Sequence, residues 1–105
     1  MARYIRQSAY PRESVIQKQV LEWLSQQESV AVIKLVTANR AGYPDILCCV
    51  NGRFVSLEVK QEGGRVSPLQ LRRIAEIREA GGCAEVVRSL EDTRKIVEPL
   101  LEKRI

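Results

Sequence analysis

The segment from Asp45 to Lys60 has charged ends, an apolar middle and a two-residue periodicity, which together predict two paired strands. Asn51-Gly52 lies at its centre, and this dipeptide strongly favours a two-residue hairpin turn of type I′. A turn there fixes the register and places Asp45 directly opposite Glu58. Lys60 lies two residues beyond Glu58 and shares its face of the sheet. The pattern therefore predicts that two carboxylates and an ammonium group converge at the open end of the hairpin.

The two faces of this hairpin differ in character. One face is apolar throughout and is expected to belong to the core, with Ile46, Cys48, Val50, Val55, Leu57 and Val59. The other face is apolar near the turn and polar at the open end, with Asp45, Leu47, Cys49, Phe54, Ser56, Glu58 and Lys60. This alternation predicts an antiparallel hairpin that runs to about residue 61.

Apolar residues at helical spacing precede the hairpin and predict a helix from about Pro11 to Gln27. Glu13 and Gln17 extend its apolar stripe, so we expect Glu13 to lie at the margin of the core. The helix macrodipole also favours an acid in the first turn, which explains the residue type but not the face. The β-branched segment from Val30 to Val36 predicts a strand, and a polar loop follows it.

A second helix is predicted after the hairpin, because Ser67 and Gln70 have the spacing of a capping box around Pro68. Gly81-Gly82 should end this helix. Its buried side is expected to carry Leu71, Ile74, Ala75 and Ile77, and its exposed side Arg72, Arg73 and Arg78.

The segment from Cys83 to Val87 predicts a strand, and because it follows a helix it should pair in parallel with an earlier strand. Ser89, with Asp92 three residues later, opens a last helix, which Pro99 is expected to kink or divide. The order is therefore helix, strand, strand, strand, helix, strand, helix. We predict an α/β domain over residues 11–105, with a mixed sheet flanked by helices, and a short basic arm over residues 1–10.

Charge and residue types narrow the possible functions. The net charge of +4 and the pI of about 9.2 favour an acidic partner such as nucleic acid. The chain has no histidine, which excludes histidine triads and histidine-ligated metals. Its three cysteines fit no zinc spacing and are expected to be small buried hydrophobes in a reducing cytosol. The absence of a signal peptide and of a long apolar run predicts a cytoplasmic protein without a membrane partner.

The facing carboxylates of Asp45 and Glu58 require an explanation, because like charges directly opposite each other destabilise a sheet. A hard divalent cation such as Mg²⁺ would relieve the repulsion, since it binds to one or two carboxylates together with substrate phosphates. Alternatively, Lys60 neutralises the pair in a salt bridge, or the register slips. The spacing alone leaves these alternatives open.

This arrangement resembles the PD-(D/E)XK nuclease superfamily, whose motif is matched here by Pro44-Asp45 followed by Glu58-Val59-Lys60. The finer resemblance is to the virus-type replication-repair nuclease (VRR-NUC) domain. It rests on Glu13-Ser-Val-Ile-Gln17, Gly42-Tyr-Pro-Asp45, Glu58-Val-Lys60, Arg65-Val-Ser-Pro-Leu-Gln70 and the Gly-Gly turn and Val-Val-Arg strand at 81–88. The resemblance covers most of residues 10–92 and implies a restriction-endonuclease-like core. It would also suit a protein of a bacterial or phage-infected cytoplasm.

The resemblance implies a role for each site residue. Asp45 and Glu58 would hold one or two Mg²⁺ or Mn²⁺ ions, completed by the main-chain carbonyl of Val59. Lys60 would orient the attacking water and stabilise the developing charge. By the same resemblance Glu13 contributes a further ligand and Gln70 lies beside the site, although Gln70 is also explained by the helix cap alone.

Two further groups of polar residues complete the expectations. Gln17 would support Glu13 and the metal-bound waters. Contacts to a phosphate backbone are expected from basic residues near the site, namely Lys34, Arg40, Arg65, Arg72 and Arg73.

The expected activity is metal-dependent cleavage of DNA. The small domain has little surface for reading a long base sequence, which points to branched DNA such as four-way junctions or flaps, as in DNA repair. Cutting a two-fold symmetric junction would need a homodimer. The apolar face of the last helix, or the patch formed by Leu47, Cys49 and Phe54, would supply its interface. The alternatives are a non-catalytic nucleic-acid-binding module of the same fold and a nuclease that acts on RNA.

Overall fold

The computed structural model describes residues 11–102, and the predicted basic arm at residues 1–10 lies outside them. The elements follow the predicted order: α1 (Glu13–Ser25), β1 (Val30–Lys34), β2 (Ile46–Val50), β3 (Arg53–Val59), α2 (Pro68–Glu79), β4 (Cys83–Val87) and α3 (Leu90–Leu101). Two elements are shorter than predicted, because α1 lacks the outermost residues at both ends and β1 stops at Lys34.

The hairpin of β2 and β3 has the predicted register. Val50 faces Arg53 next to the turn, and Ile46 faces Leu57 at the other end of the ladder. Asn51 and Gly52 have φ values of 52° and 86°, so both central residues adopt the left-handed conformation that a type I′ turn requires. The turn chemistry therefore decides which residues of the two strands meet.

The sheet has the strand order β1-β2-β3-β4 and is mixed. β1 pairs with β2, and β2 with β3, in antiparallel fashion, whereas β3 and β4 are parallel. The helix α2 forms the crossover between the parallel pair, as predicted from the strand that follows it. This topology confirms the mixed α/β fold with flanking helices.

The main core lies between one face of the sheet and the helices α1 and α3. It joins Ile16, Val20 and Leu24 of α1 and Val97 of α3 to the apolar face of the hairpin and to Val87 of β4. All six residues predicted to form that apolar face are buried. Each fully buried aliphatic side chain of this kind contributes about 1.5–3 kcal/mol relative to an exposed one.

α2 covers the opposite face of the sheet over β3 and β4, and its rotation differs from the prediction. Ile74 is buried and Ile77 is half-buried, but Leu71 is 53% exposed and Ala75 is also exposed. Arg73, predicted on the exposed side, is only 7% exposed. The cause is that α2 packs against the loop before β2 as well as against the sheet, and this loop offers polar partners to Arg73.

The end of the chain departs from the sequence analysis at one proline. α3 begins at a Ser89 cap, whose Oγ accepts a hydrogen bond from the Asp92 amide at 3.0 Å. The helix continues through Pro99 to Leu101 as one element, so of the two expected effects, a kink or a division, the division is wrong. Pro99 lies in the last turn, so the one helical hydrogen bond that its missing amide removes is close to the end of the helix.

Two smaller expectations concern the cysteines and the membrane. Cys48 is buried and Cys83 half-buried, but Cys49 is exposed, so the expectation of burial is wrong for Cys49. None of the helices in residues 11–102 is both long and apolar enough to cross a membrane.

Replacing Gly52 with alanine tests the turn that sets the register. Because Gly52 has a φ of 86°, a side chain there is strained, and we expect the free energy of unfolding to fall by ~1–2 kcal/mol. Urea denaturation measures this loss. The control Arg53→Ala alters the exposed neighbouring residue and should stay within about 0.5 kcal/mol of the original protein. Equal losses in the two variants would contradict the importance of the turn.

Candidate active site

Polar side chains converge at the open end of the hairpin, as the register predicts. The Val59 amide donates a hydrogen bond to Asp45 Oδ2 at 3.3 Å. Lys60 Nζ lies 3.9 Å from Glu58 Oε2. Asp45 precedes β2, Glu58 belongs to β3 and Lys60 directly follows β3. One hairpin therefore delivers both carboxylates and the ammonium group.

Glu58 is the unusual member of this group because it is only 2% exposed. Its Oε2 accepts a hydrogen bond from Gln70 Nε2 at 3.1 Å. Its Oε1 is buried, and no hydrogen-bond donor among the described residues reaches it. Buried polar atoms are nearly always paired, so this carboxylate oxygen requires a partner other than the described residues, such as an ion or a water molecule.

The surroundings favour the protonated form of Glu58. Burial is the largest cause and the Asp45 carboxylate the next, and together they raise the pKa of Glu58 to about 8. Lys60 acts in the opposite direction. A protonated Glu58 donates a hydrogen bond to the Asp45 carboxylate, which raises this pKa further, and the charge of Glu13 adds the smallest upward effect. A cation coordinated by both carboxylates would lower the pKa of Glu58 and stabilise the ionised pair.

The donor set fits a hard divalent cation. Asp45 and Glu58 supply carboxylate oxygens, which Mg²⁺ prefers as ligands. Oε1 of Glu58 receives no hydrogen bond from the described residues and is free to coordinate a cation. Within residues 11–102 no group of three or more acidic or cysteine side chains is close enough to form a metal cluster. Two carboxylates are sufficient, because Mg²⁺ takes its remaining ligands from water and substrate phosphates.

Gln70 makes both of the contacts that the sequence suggests for it, one in the helix cap and one beside the carboxylates. Its amide and side-chain Oε1 form the predicted capping box with Ser67, at 3.1 and 2.9 Å. The other end of the same side chain donates to Glu58 Oε2. The first turn of α2 is thus joined directly to the buried carboxylate.

Glu13 and Gln17 lie further from this centre. Glu13 is the first residue of α1 and is exposed, so the expectation that it lies at the margin of the core is wrong. Its charge is nevertheless the smallest of the causes that raise the pKa of Glu58. Gln17 follows one turn later and is half-buried.

The basic residues expected to contact a phosphate backbone fall into two groups. Lys34, Arg40, Arg65 and Arg72 are exposed, although Arg40 also lies 3.6 Å from Glu76. Arg73 is buried, and its guanidinium donates to the Ala41 carbonyl and to Glu76. The contact role of the exposed residues stays a prediction, whereas Arg73 has little surface left for a phosphate.

Sequence reasoning missed the role of Arg88. Its Nη1 donates to the carbonyls of Gln61 and Gly64 at 2.8 and 2.9 Å, and so fastens the loop that follows Lys60. No sequence pattern marks an arginine that binds main-chain carbonyls across the fold. The one feature that could have indicated this role is its position directly after β4, because β4 runs parallel to β3 and Lys60 directly follows β3.

Comparisons with known proteins find domains that are similar to this chain in sequence and in fold. The VRR-NUC domain family matches the chain over residues 6–91. A solved structure described as a VRR-NUC domain is 32% identical, with a TM-score of 0.70, and the match covers 82% of this chain and 94% of that one. A second, described as a VRR-NUC domain protein, is 20% identical with a TM-score of 0.74 over 89% of this chain and 90% of its own; it shows the fold alone. No curated protein matches the chain significantly.

The raised pKa of Glu58 predicts how the metal-free protein responds to pH. Glu58 in the unfolded chain loses its proton near the ordinary value of 4.5, whereas in the folded protein it keeps the proton to about 8. Between these values the folded state binds more protons than the unfolded state, so the free energy of unfolding should fall as the pH rises. Urea denaturation with a chelator, at intervals from pH 5 to about 8, measures this slope.

Glu58→Gln should flatten that slope and raise stability at the upper end of the range, because the amide carries no charge to bury. Glu22→Gln on the exposed side of α1 removes the same charge elsewhere and should follow the original profile. Parallel profiles for the original protein and Glu58→Gln would show that Glu58 ionises normally.

Proposed function

The chain belongs to the VRR-NUC family of nuclease-type domains, and on this premise we propose that it is a metal-dependent endonuclease that hydrolyses phosphodiester bonds of DNA. The observation that carries the proposal is the buried Glu58 with its orphaned Oε1 beside Asp45. Removing an unpaired acid would stabilise the fold, so its presence is best explained by a cation that binds there.

Asp45 and Glu58 are the residues that would hold Mg²⁺ or Mn²⁺, with the main-chain carbonyl of Val59 and, through water, Glu13 as further donors. A divalent cation bound there would polarise the scissile phosphate and lower the pKa of a bound water. Gln70 contributes by fixing Oε2 of Glu58, so that the carboxylate keeps one orientation. Gln17, one turn from Glu13, is placed to support that residue.

Lys60 is the residue proposed to act on the reacting groups. Its side chain is only 15% exposed, and its Nζ lies at the edge of the carboxylate pair. A partly buried ammonium group stabilises developing negative charge more strongly than an exposed one, because water screens it less. We assign to Lys60 the orientation of the attacking water and the stabilisation of charge on the phosphate.

The proposed substrate is branched DNA. The net charge of +4 supports a polyanionic partner, and the exposed Lys34, Arg40, Arg65 and Arg72 are the proposed backbone contacts. All helices and strands of residues 11–102 belong to the one sheet and the helices around it, so the described part of the chain has no separate base-reading element. Recognition of shape, as in a four-way junction or a flap, is therefore proposed over recognition of sequence.

A homodimer is proposed because a symmetric junction presents two equivalent cutting positions. Of the two interfaces expected from sequence, the apolar face of α3 packs against the protein's own core. The sheet patch, defined as Ile33, Leu47, Cys49 and Phe54, lies on the face that α2 leaves open beyond β3. Ile33 and Phe54 are 59% and 48% exposed, and Ile33 pairs with Leu47. This patch is the proposed contact between copies.

Lys60→Ala should abolish cutting while leaving DNA binding largely intact, because the variant removes charge stabilisation but retains both carboxylates. The assay uses a linear duplex, a single strand, a flap, a four-way junction and an RNA duplex, each with Mg²⁺ or Mn²⁺ and with chelator. We expect a rate loss of at least about a hundredfold at unchanged affinity.

The outcomes of this assay separate the alternatives. Metal-dependent cutting of the flap or junction supports the proposal. Binding without cutting of any substrate would identify a non-catalytic module, and cutting confined to RNA would overturn the assignment of DNA. Normal cutting by Lys60→Ala would remove Lys60 from the mechanism.

Phe54→Glu tests the proposed dimer. A carboxylate in the sheet patch would be buried without a partner in a dimer, so this variant should sediment as a monomer where the original protein sediments as a dimer. Val36→Glu, at a position 87% exposed and outside the patch, is the matched control and should not change the mass. A monomeric original protein at high concentration would contradict the dimer itself.

A further inference from the structure

The β1–β2 loop, defined as residues 35–45, carries Asp45 at its end but contains no helix or strand. Its residues 36–41 are all exposed, so burial against the sheet does not hold them. A carboxylate that must face Glu58 from such a loop requires other contacts to fix it. For the loop residues 41–43, which precede Asp45, these contacts come from α2.

Arg73 of α2 provides the polar contacts. Its Nε donates to the Ala41 carbonyl at 2.9 Å, and its Nη1 donates to Glu76 Oε2 at 2.8 Å. The guanidinium carbon lies 5.3 Å from the centre of the Tyr43 ring. Arg73 is 7% exposed, so its charge is held between a carboxylate, a carbonyl and an aromatic face. A planar guanidinium makes these directional contacts at once, which an ammonium group does not.

Gly42 shows that the loop lies directly on α2. Its φ of +92° belongs to the left-handed region. A Cβ at this position would lie 2.7 Å from Leu69 Cγ and 3.1 Å from the Leu69 carbonyl oxygen. Leu69 precedes Gln70, so the loop packs on the same turn of α2 that holds Glu58.

Only Tyr43 and Pro44 separate this anchor from Asp45. Pro44 is buried and its backbone is restricted, so fixing Gly42 also limits where Asp45 can lie. Asp45 is then held by two hydrogen bonds: its carbonyl accepts from the Leu35 amide at 2.7 Å, and its Oδ2 accepts from the Val59 amide at 3.3 Å.

We propose that Arg73 is a positioning residue that fastens the β1–β2 loop to α2 and thereby sets where Asp45 lies relative to Glu58. α2 then holds both carboxylates, Glu58 through Gln70 and Asp45 through Arg73. The consequence for catalysis rests on the proposed nuclease function, whereas the consequence for the position of Asp45 does not. Arg73 therefore differs in role from its exposed neighbour Arg72, which has the same charge.

The hydrogen bond from the Val59 amide to Asp45 Oδ2 provides a direct measurement. In Arg73→Met, which keeps an apolar stem against Tyr43, the Val59 amide should exchange its hydrogen about tenfold faster than in the original protein. The amides of β2 and β3 nearer the turn should keep their exchange rates, which separates a local change from a general loss of stability. The experiment is done without metal and without DNA.

Two variants keep this test decisive. Arg72→Met removes the same charge from the adjacent exposed position and should leave Val59 exchange unchanged. If Arg73→Met does not fold, Arg73→Lys preserves charge and stem but not the forked donor geometry, and it should still accelerate Val59 exchange. Unchanged Val59 exchange in the folded Arg73 variant would overturn the proposal.

Activity and DNA binding give the second readout. For Arg73→Met we expect the cutting rate at saturating DNA and Mg²⁺ to fall about ten- to a hundredfold, as for a misplaced catalytic group, while KM for DNA stays unchanged. The salt dependence of DNA binding is the slope of log K against log salt concentration. If this slope becomes shallower by about one in Arg73→Met while Val59 exchange stays normal, Arg73 is a phosphate contact and the proposal is overturned. If the original protein cuts no substrate but Arg73→Met still accelerates Val59 exchange, the positioning role is supported and the nuclease function is refuted.

Discussion

The burial of Glu58 is the constraint on which the arrangement of this protein depends. A carboxylate that is 2% exposed, with one oxygen unpaired, is unfavourable in a metal-free fold. The surrounding elements limit this cost without removing it: Gln70 donates to one oxygen, and Lys60 lies close to the same oxygen. Asp45 increases the cost through its own charge. The ionised form of Glu58 is therefore unfavourable without a cation, and the folded protein keeps this carboxyl protonated to about pH 8. A divalent cation bound to both carboxylates would offset this cost.

Glu58, Lys60 and Asp45 are held in place by different kinds of contact. Glu58 lies on β3, where it pairs with Val86 of β4, and the ladder with β2 ends at the preceding residue, Leu57. Both ladders therefore restrain its backbone position. Lys60 lies just past the strand, but its amide still donates to the Val87 carbonyl at 3.0 Å, and Arg88 fastens the loop beyond it. Asp45 precedes its strand and depends on the β1–β2 loop. Asp45 also has a backbone hydrogen bond, from the Leu35 amide at 2.7 Å. Of the three groups, however, it is the one that follows an exposed loop, which Arg73 is proposed to fasten to α2.

The features that the sequence predicted correctly are those with local causes. Asn51-Gly52 determines the hairpin register because the turn type admits one pairing, and Ser67 and Gln70 determine where α2 begins because they satisfy each other's backbone groups. The side of α2 that is buried has no local cause. Leu71 was expected inside and Arg73 outside, yet the loop that contacts α2 selects the opposite arrangement. Such a contact depends on a segment about thirty residues away in sequence, and periodicity within the helix carries no information about it.

The capping residue of α2 shows how the site constrains the fold in return. A capping box accepts glutamate as readily as glutamine at its third position, because either side chain can accept a hydrogen bond from the N-cap amide. Here the same side chain also lies 3.1 Å from Glu58 Oε2. A glutamate in place of Gln70 would preserve the cap but bring a third carboxylate against a pair that already repels. An amide satisfies both demands, since Oε1 accepts from Ser67 and Nε2 donates to Glu58. The identity of the residue at this helix terminus is therefore explained by the chemistry of the site, while its position is explained by the helix.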